Sequence, residues 1–273
     1  MSSTELIQQL QAAQFYLLGG GLVLFLLLET LMPLVPVPAS SGRARHLTRN
    51  LIVWLIAMLL INLVVGGAFM LGFVWLEHHR IGLFYLLGMP LVAQVVLGFL
   101  IVDASDYVFH RLSHQVRWLW LLHSVHHSDP HVDVSTNLRG HPFHLITVLL
   151  WKLLVVAAFG IPFWVLLVRE LIAIPVAQLH HANIGLSSRW EYWLRKVIVT
   201  PDMHKIHHSP RHAETDSNFG AIFSFWDRWF RTYTENKQPG EPNYGLVNLR
   251  DKGWQTVAGM LKTPFSAGRL GRL

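Results

Sequence analysis

Cysteine is absent from the 273-residue chain. That excludes a disulfide framework, a cysteine–zinc site, an iron–sulfur cluster and a cysteine nucleophile, and it leaves the redox compartment open. Charge is scarce as well. Asp, Glu, Lys and Arg make up 14% of the residues and apolar types 52%, whereas a soluble domain is roughly one quarter charged. A chain so poor in charge is expected in a membrane. There is no H-E-x-x-H, no low-complexity tract and no internal repeat beyond the histidine motifs. What the chain holds in excess is histidine, with 17 against 16 carboxylates. The net charge of +6 accompanies long apolar runs. A cytosolic face attracting anionic lipid headgroups is therefore a simpler reading than nucleic-acid binding.

Three apolar segments, about Phe15–Val37, Leu51–Trp75 and Ile81–Val102, are each long enough to cross a hydrocarbon core as a helix. Only Glu29, Thr30 and Asn62 interrupt the first two. Glu5 and several glutamines precede the first segment where a signal peptide would carry basic residues, so it is read as a span. The loop Ser41–Asn50 carries Arg43, Arg45 and Arg49, and the loop Glu77–Arg80 a single arginine. The positive-inside rule then puts the N-terminus outside and everything from Asp103 onward, including the C-terminus, on the cytosolic side. A fourth apolar stretch, Leu145–Leu179, contains Lys152, Arg169 and Glu170 and is broken at Gly160–Pro162. It predicts a helical hairpin, either two short spans or a re-entrant pair. The expected fold is an all-α integral membrane protein of about three transmembrane helices plus this hairpin, with a cytosolic helical cap carrying the histidine clusters. Residues 1–100 form the N-terminal helices, 101–236 the histidine-bearing domain enclosing the hairpin 145–180, and 237–273 a loosely structured tail ending in Arg269 and Arg272.

Three clusters carry the chemistry. His110 and His114 form H-x3-H, His123, His126 and His127 form H-x2-H-H, and His204, His207 and His208 repeat the second pattern. Residues three and four apart share a helix face, so each cluster presents its imidazoles side by side, as shared metal ions require. Eight neutral rings with no common purpose would gain nothing from packing together. A lone histidine, in contrast, is usually a hydrogen-bonded or surface residue, and His46, His78, His79, His131 and His212 are read that way. Thr200 and Pro201 predict a helix start and Ser209-Pro210 its end, bounding a short helix that carries three ligands. The hairpin returns to the same side at His180-His181-Ala182-Asn183, where a ninth ligand is expected, His181 ahead of His180. Asp103 and Asp106 are candidates to orient a ring, with a plain interfacial role equally open. His141, expected near a helix cap before Pro142, and His144 are left undecided. Eight or nine nitrogen ligands suit two ions, and zinc, copper, iron and nickel all fit such a set.

From about Asp103 to Tyr233 the chain resembles the fatty acid hydroxylase/sterol desaturase superfamily. The resemblance is carried by H110-R-L-S-H114, H123-S-V-H-H127, Asp129–Thr136, Arg139–Pro142, His181-Ala-Asn183, Thr200–His208, Glu214–Gly220 and Trp226-Asp227-Arg228. It implies two iron ions, molecular oxygen as oxidant and a lipid substrate. It also assigns metal ligation to His110, His114, His123, His126, His127, His204, His207 and His208, with His181 as the further ligand. The chain departs at His144, where many members have an acidic residue. Some members carry a fused cytochrome domain, for which this chain has no room. A separate cytochrome- or ferredoxin-type donor is thus implied.

The leading expectation is an oxidoreductase acting on an unactivated C–H bond of a fatty acyl, sterol-like, carotenoid-like or ether lipid. Hydroxylation and desaturation share the first hydrogen abstraction and stay unseparated. A zinc-dependent membrane hydrolase would need a carboxylate base near the metal. A metal transporter or sensor would place its ligands inside the spans.

Overall fold

The computed structural model describes residues 3–36, 42–235 and 244–269. Their regular structure is helical, with isolated antiparallel bridges at Pro33–Ile184 and Ile198–Phe223 and no strand. Helix α1 (Ser3–Leu31) stops where Pro33 and Pro36 disfavour helical geometry in the residues before them. The sequence carried this segment on to Val37, which lies outside the described residues. Helices α2 (Arg43–Ile61) and α3 (Gly67–His78) are joined through a π-turn at Asn62–Gly66. Asn62 starts that turn, its side-chain amide donating to the Met58 carbonyl at 2.8 Å.

The third apolar segment does not start at Ile81. Gly82 and Gly88 adopt positive φ and Pro90 caps the next helix, so Leu83–Leu86 forms only one turn (α4) and α5 runs from Leu91 to Gln115. Gly82 lies against the backbone of Gly160, leaving no space for a Cβ. The long helix α5 therefore carries His110 and His114 directly out of its apolar part. After a break at Val116, α6 (Arg117–His127) bears the second cluster.

The hairpin forms where expected. Helix α7 (Pro142–Phe159) ends on Gly160 at φ 71°, and α8 (Phe163–His181) starts after Pro162. Its core joins Phe73, Val102, Val156, Ile161, Phe163 and Val165. Among the described residues five helical stretches are long and apolar enough to cross a membrane: Glu5–Leu31, Arg43–Leu86, Leu91–Gln115, Pro142–Phe159 and Phe163–His181. Phe15, Leu63, Leu71, Val92 and Leu154 point outward from them, an apolar exterior that suits lipid and not water. The chain is an integral membrane protein.

The cap is assembled from α6, a 3-10 turn at Val134–Leu138, and the short helices α9 (Ser188–Leu194), α10 (Pro201–His207), α11 (His212–Thr215), α12 (Phe225–Trp229) and α13 (Val257–Lys262). Glu29, which the sequence shows only as an interruption in an apolar run, ties the two parts together. It is 2% exposed. Its Oε1 accepts from the backbone N–H of both Val134 and Asn183 at 2.7 Å, and its Oε2 pairs with Arg43 at 2.6 Å.

The expectation of a loose tail fails for residues 244–269. Leu249 and Met260 are fully buried. Trp254 packs on the Trp120–Leu246–Leu249 cluster, and Met260 packs with Val53 and Val125. These apolar residues are spread over turns and short helices, so no single period exposes them.

Candidate metal centre

Each predicted ligand is positioned by its local structure. Thr200 caps α10, its hydroxyl accepting from the Met203 N–H at 3.5 Å, with Pro201 in the first turn as predicted. His181 closes α8. The nine histidines then converge as two groups, each with its ligand atoms within 4.8 Å of one another. One holds His110, His114, His123, His127 and His207, and the other His126, His181, His204 and His208. The sequence clusters are divided between the groups by helical geometry. Each i,i+4 pair (His110/His114, His123/His127, His204/His208) stays together, while the intervening His126 and His207 point into the opposite group. The groups adjoin, with the His127 and His208 rings stacked at 4.7 Å.

The outer nitrogens decide what the inner ones can do. His126 Nδ1 donates to the Arg139 carbonyl at 3.1 Å, and His181 Nδ1 to the Ala177 carbonyl at 2.7 Å. His110 Nδ1 donates to the Phe219 carbonyl at 2.9 Å, and His207 Nδ1 to the Ser217 carbonyl at 2.7 Å. A carbonyl only accepts, so each of these neutral rings carries its proton on Nδ1 and turns a lone pair inward from Nε2. Yet Nε2 of His126 lies 3.1 Å from Nε2 of His181, which lies 3.0 Å from that of His204. Between His126 and His181 no proton remains to share. Two facing lone pairs at that distance fit a cation between them. The Nε2 atoms of His114 and His207 are buried without any hydrogen-bond partner, as are the Nδ1 atoms of His127, His204 and His208. The donor set fits metal ions.

Burial, reinforced by neighbouring rings, pushes His123, His127, His204, His207 and His208 well below the usual imidazole value. Burial likewise holds His126 down at about 4. These six are neutral near pH 7, the form a metal requires. Phe219 packs against His110, His114 and His207, and Trp120 against His114 and His127, shielding the first group with apolar rings.

The undecided residues divide. His144 places Nε2 3.1 Å from His123 Nδ1, and His180 lies against His204 with ring centroids 4.1 Å apart, so both flank the groups. His141 caps α7, accepting from the Phe143 N–H, away from both groups. His46 bonds Asp129 at 2.8 Å, and His131 and His212 are exposed, all three outside the groups.

Asp103 and Asp106 do not orient a ring. Asp103 is taken up by Arg169 at 2.8 Å, Trp226 Nε1 at 2.8 Å and the Ile222 and Phe223 N–H groups, and Asp106 by Arg169 at 2.7 Å and Lys152 at 3.4 Å. The hairpin cations reach these acids first. The carboxylate that does hold a ring is Asp216, 3.2 Å from His114 Nδ1. No local spacing marks it, because it lies 102 residues away on a loop. Four other supports are backbone carbonyls, which no sequence motif marks. Asp227 fixes one of them indirectly, accepting from the Phe219 and Gly220 N–H groups at 2.7 and 2.9 Å.

A cavity of about 320 Å³ opens beside both groups, between α5, α7 and α8. Phe109, Val148, Ala173, Ile174 and Ala177 give it apolar walls, and His110, His123, His126, His181 and His204 reach it.

The fold and site together define an all-helical membrane protein with a buried, metal-binding histidine centre. The fatty acid hydroxylase family matches residues 95–232, half of the chain, and the chain belongs to that family. It is 29% identical over 177 residues to ornithine lipid hydroxylase OlsE of Rhizobium tropici, covering 65% of this chain and 52% of that protein. It is 29% identical over 145 residues to alkylglycerol monooxygenase of Caenorhabditis elegans, covering 53% and 28%. To cholesterol 25-hydroxylase-like protein 1, member 2 of Danio rerio it is 26% identical over 159 residues, covering 54% and 52%. The chain thus spans about half, or less, of the length of these relatives. No solved structure matches it.

Proposed function

We propose that this chain is a membrane-bound oxygenase that hydroxylates a lipid at a centre of two iron ions. The observation that carries the reading is the pair of adjoining histidine groups whose carbonyl-fixed tautomers aim unshared lone pairs at one another. His110, His114, His123, His127 and His207 would hold one ion, and His126, His181, His204 and His208 the other. Iron bound there would supply the activation of dioxygen needed to break an unactivated C–H bond. The carbonyls of Phe219, Ser217, Arg139 and Ala177 and the carboxylate of Asp216 orient the rings. The apolar wall of the cavity admits a lipid chain from the side of α5, α7 and α8, and burial of the rings keeps bulk water from the reacting position. The relatives' names include hydroxylases and a monooxygenase, which favours hydroxylation over desaturation. Those names cover an ornithine lipid, an alkylglycerol and cholesterol, so the proposal stops at a lipid. Reducing equivalents come from a separate cytochrome- or ferredoxin-type protein. The histidine centre faces the cytosol and the N-terminus lies outside, an orientation that reporter fusions at each end test directly.

Metal analysis of the purified, reconstituted protein should find two irons per chain. Oxygen uptake with extracted lipids and a chemical or protein reductant should yield a lipid heavier by one oxygen atom. Less than one metal per chain, zinc filling both positions, or no lipid-dependent oxygen uptake would overturn the proposal.

A further inference from the structure

A second cavity, of about 380 Å³, lies apart from the one beside the histidines and includes no member of the two groups. Arg45, His46, Arg49, Arg139, Arg250 and Lys252 line it, and no carboxylate does. Two of its cations are already balanced. His46 faces Asp129 at 2.8 Å through Nε2 and Asp133 at 3.2 Å through Nδ1. Arg139, 1% exposed, sits 4.0 Å from Asp129 and is held by Val125, Ser128 and Gln255. That leaves Arg45, Arg49, Arg250 and Lys252. Among the described residues none of these four has a carboxylate partner. Among those residues the side chains of Arg45, Arg49 and Lys252 have no hydrogen bond either, and the Arg250 side chain donates only through Nη2, to the Tyr244 and Gly245 carbonyls, leaving its Nε buried and unpartnered.

The placement is unfavourable by itself. Arg45 and Arg49 are like charges at i,i+4, and they occupy the first two turns of α2, at the positive end of its dipole. The first turn of α2 also has no side-chain cap, because Gly42 precedes it. Four convergent cations, a positive helix end and a concave wall are all relieved by one ligand, a compact anion with several acceptor oxygens. From Leu51 onward α2 is apolar. The cavity therefore sits where a membrane-spanning helix leaves the hydrocarbon, at headgroup level.

We propose that this pocket binds a phosphate group, held by Arg45, Arg49, Arg250 and Lys252 over the floor made by Arg139. Concavity favours a phosphate over the broad acidic face of a protein. The position at the start of a spanning helix makes an anionic phospholipid headgroup its source, with free phosphate the other source of the same chemistry. The site is independent of the reaction proposed for the histidine centre.

The test uses the full chain in nanodiscs of phosphatidylcholine with or without phosphatidylglycerol, released for native mass spectrometry. Wild type should retain phosphatidylglycerol over phosphatidylcholine. Lys252→Gln should weaken that retention about fivefold, and Arg45→Gln/Arg49→Gln/Lys252→Gln on the order of 100-fold, given the usual contribution of one cation at an anionic surface. Arg189→Gln/Lys196→Gln, which removes two cations elsewhere on the cap, should leave it unchanged. Metal content and melting temperature equal to wild type establish that the variants are folded, and Lys252→Gln, on an exposed loop, serves if the triple variant is not. In phosphatidylcholine alone, millimolar inorganic phosphate that shields Lys252 from an amine-reactive reagent, without any lipid preference, would assign the pocket to free phosphate and support the shared chemistry. The proposal is overturned if wild type retains phosphatidylglycerol no better than the triple variant does and inorganic phosphate leaves Lys252 of the wild type unshielded. It is equally overturned if a polyglutamate peptide binds in a triple-variant-sensitive way while both phosphate probes fail, since the surface then docks acidic protein.

Discussion

The apolar helices and the histidine cap bury opposite kinds of side chain. Around the hairpin, Leu150, Leu154 and Ile172 face outward while Val156, Val165 and Leu167 fill the interior. In the cap, His207, Asp129, Asn218 and Asp227 are almost wholly buried. The helices gain from close packing against one another and from an exterior that matches lipid. The cap gains only if every buried polar group finds a partner, so its members stand or fall together. The two regions meet where Asp103 and Asp106 on α5 engage Arg169 on α8 and Lys152 on α7. That network puts polar dependence inside the apolar half. It also clamps Ile222, Phe223 and Trp226, next to the loop whose Phe219 carbonyl holds His110.

The comparison breaks first at the histidines. His181→Ala removes a ring held between His126 and His204, and three imidazoles cannot complete the second group. Turnover should fall to background and metal content should drop in correctly inserted protein, read by metal analysis beside an activity assay. Full metal and activity in this variant would return the ninth position to His180 and remove His181's assigned role. Next in size is Asp103→Ala, which leaves Arg169 buried with part of its partnership gone. Breaking such a pair costs about 3–5 kcal/mol, so folded yield and melting temperature in detergent should fall sharply. A variant that melts with wild type would show that Asp106 and Glu170 satisfy Arg169 alone.

Much of this architecture was legible because its signals are local. Gly160 and Pro162 turn the hairpin, Thr200 and Pro201 start α10, and the i,i+4 spacing of the histidines fixes which rings stay together. The start of α5 is masked because Ile81–Met89 is as apolar as the helix that follows, and the breaks come from the positive φ of Gly82 and Gly88 and from Pro90 at the cap of α5. The division of each H-x2-H-H between two groups was hidden, since it depends on α6 and α10 facing each other across the centre. The supports of the rings were least visible. A backbone carbonyl has no side-chain signature, and Asp216 meets His114 only after the chain has passed through the hairpin and back. Asp106 looked better placed, one turn before His110, but a cation on a neighbouring helix outcompetes a position on the same one.

Asp216 offers a graded test of that last point. Asp216→Ala deletes the acceptor of His114 Nδ1 and touches no other ring of the two groups. Removing a partner of this kind typically lowers metal affinity or activity 10–100-fold. The loss should show in a metal titration of protein whose melting temperature is unchanged, because the carboxylate is half exposed. An unaltered affinity would mean that packing against Trp120 and Phe219 alone holds the His114 ring.

The smallest effects sharpen the comparison from the other side, because they ask whether proximity to a cluster is enough to join it. His131 lies four residues beyond His127, and His212 four beyond His208, so a count along the chain would extend both motifs. The chain does not continue as a helix through either interval. Asp129-Pro130 ends α6 before His131, whose N–H bonds the Asp129 carboxylate at 3.0 Å and whose ring lies against His46 at 6.2 Å. Ser209-Pro210 ends α10 before His212, whose ring is exposed and 4.0 Å from Asp216. Without helical continuity the i+4 position no longer points at the centre. His131→Ala and His212→Ala should therefore leave metal content and turnover at wild-type levels and shift stability by less than about 0.5 kcal/mol, as surface substitutions do. A drop in bound metal in either variant would mean that a loop imidazole reaches a group, and the division between a buried cap and its exposed rim would have to be redrawn there.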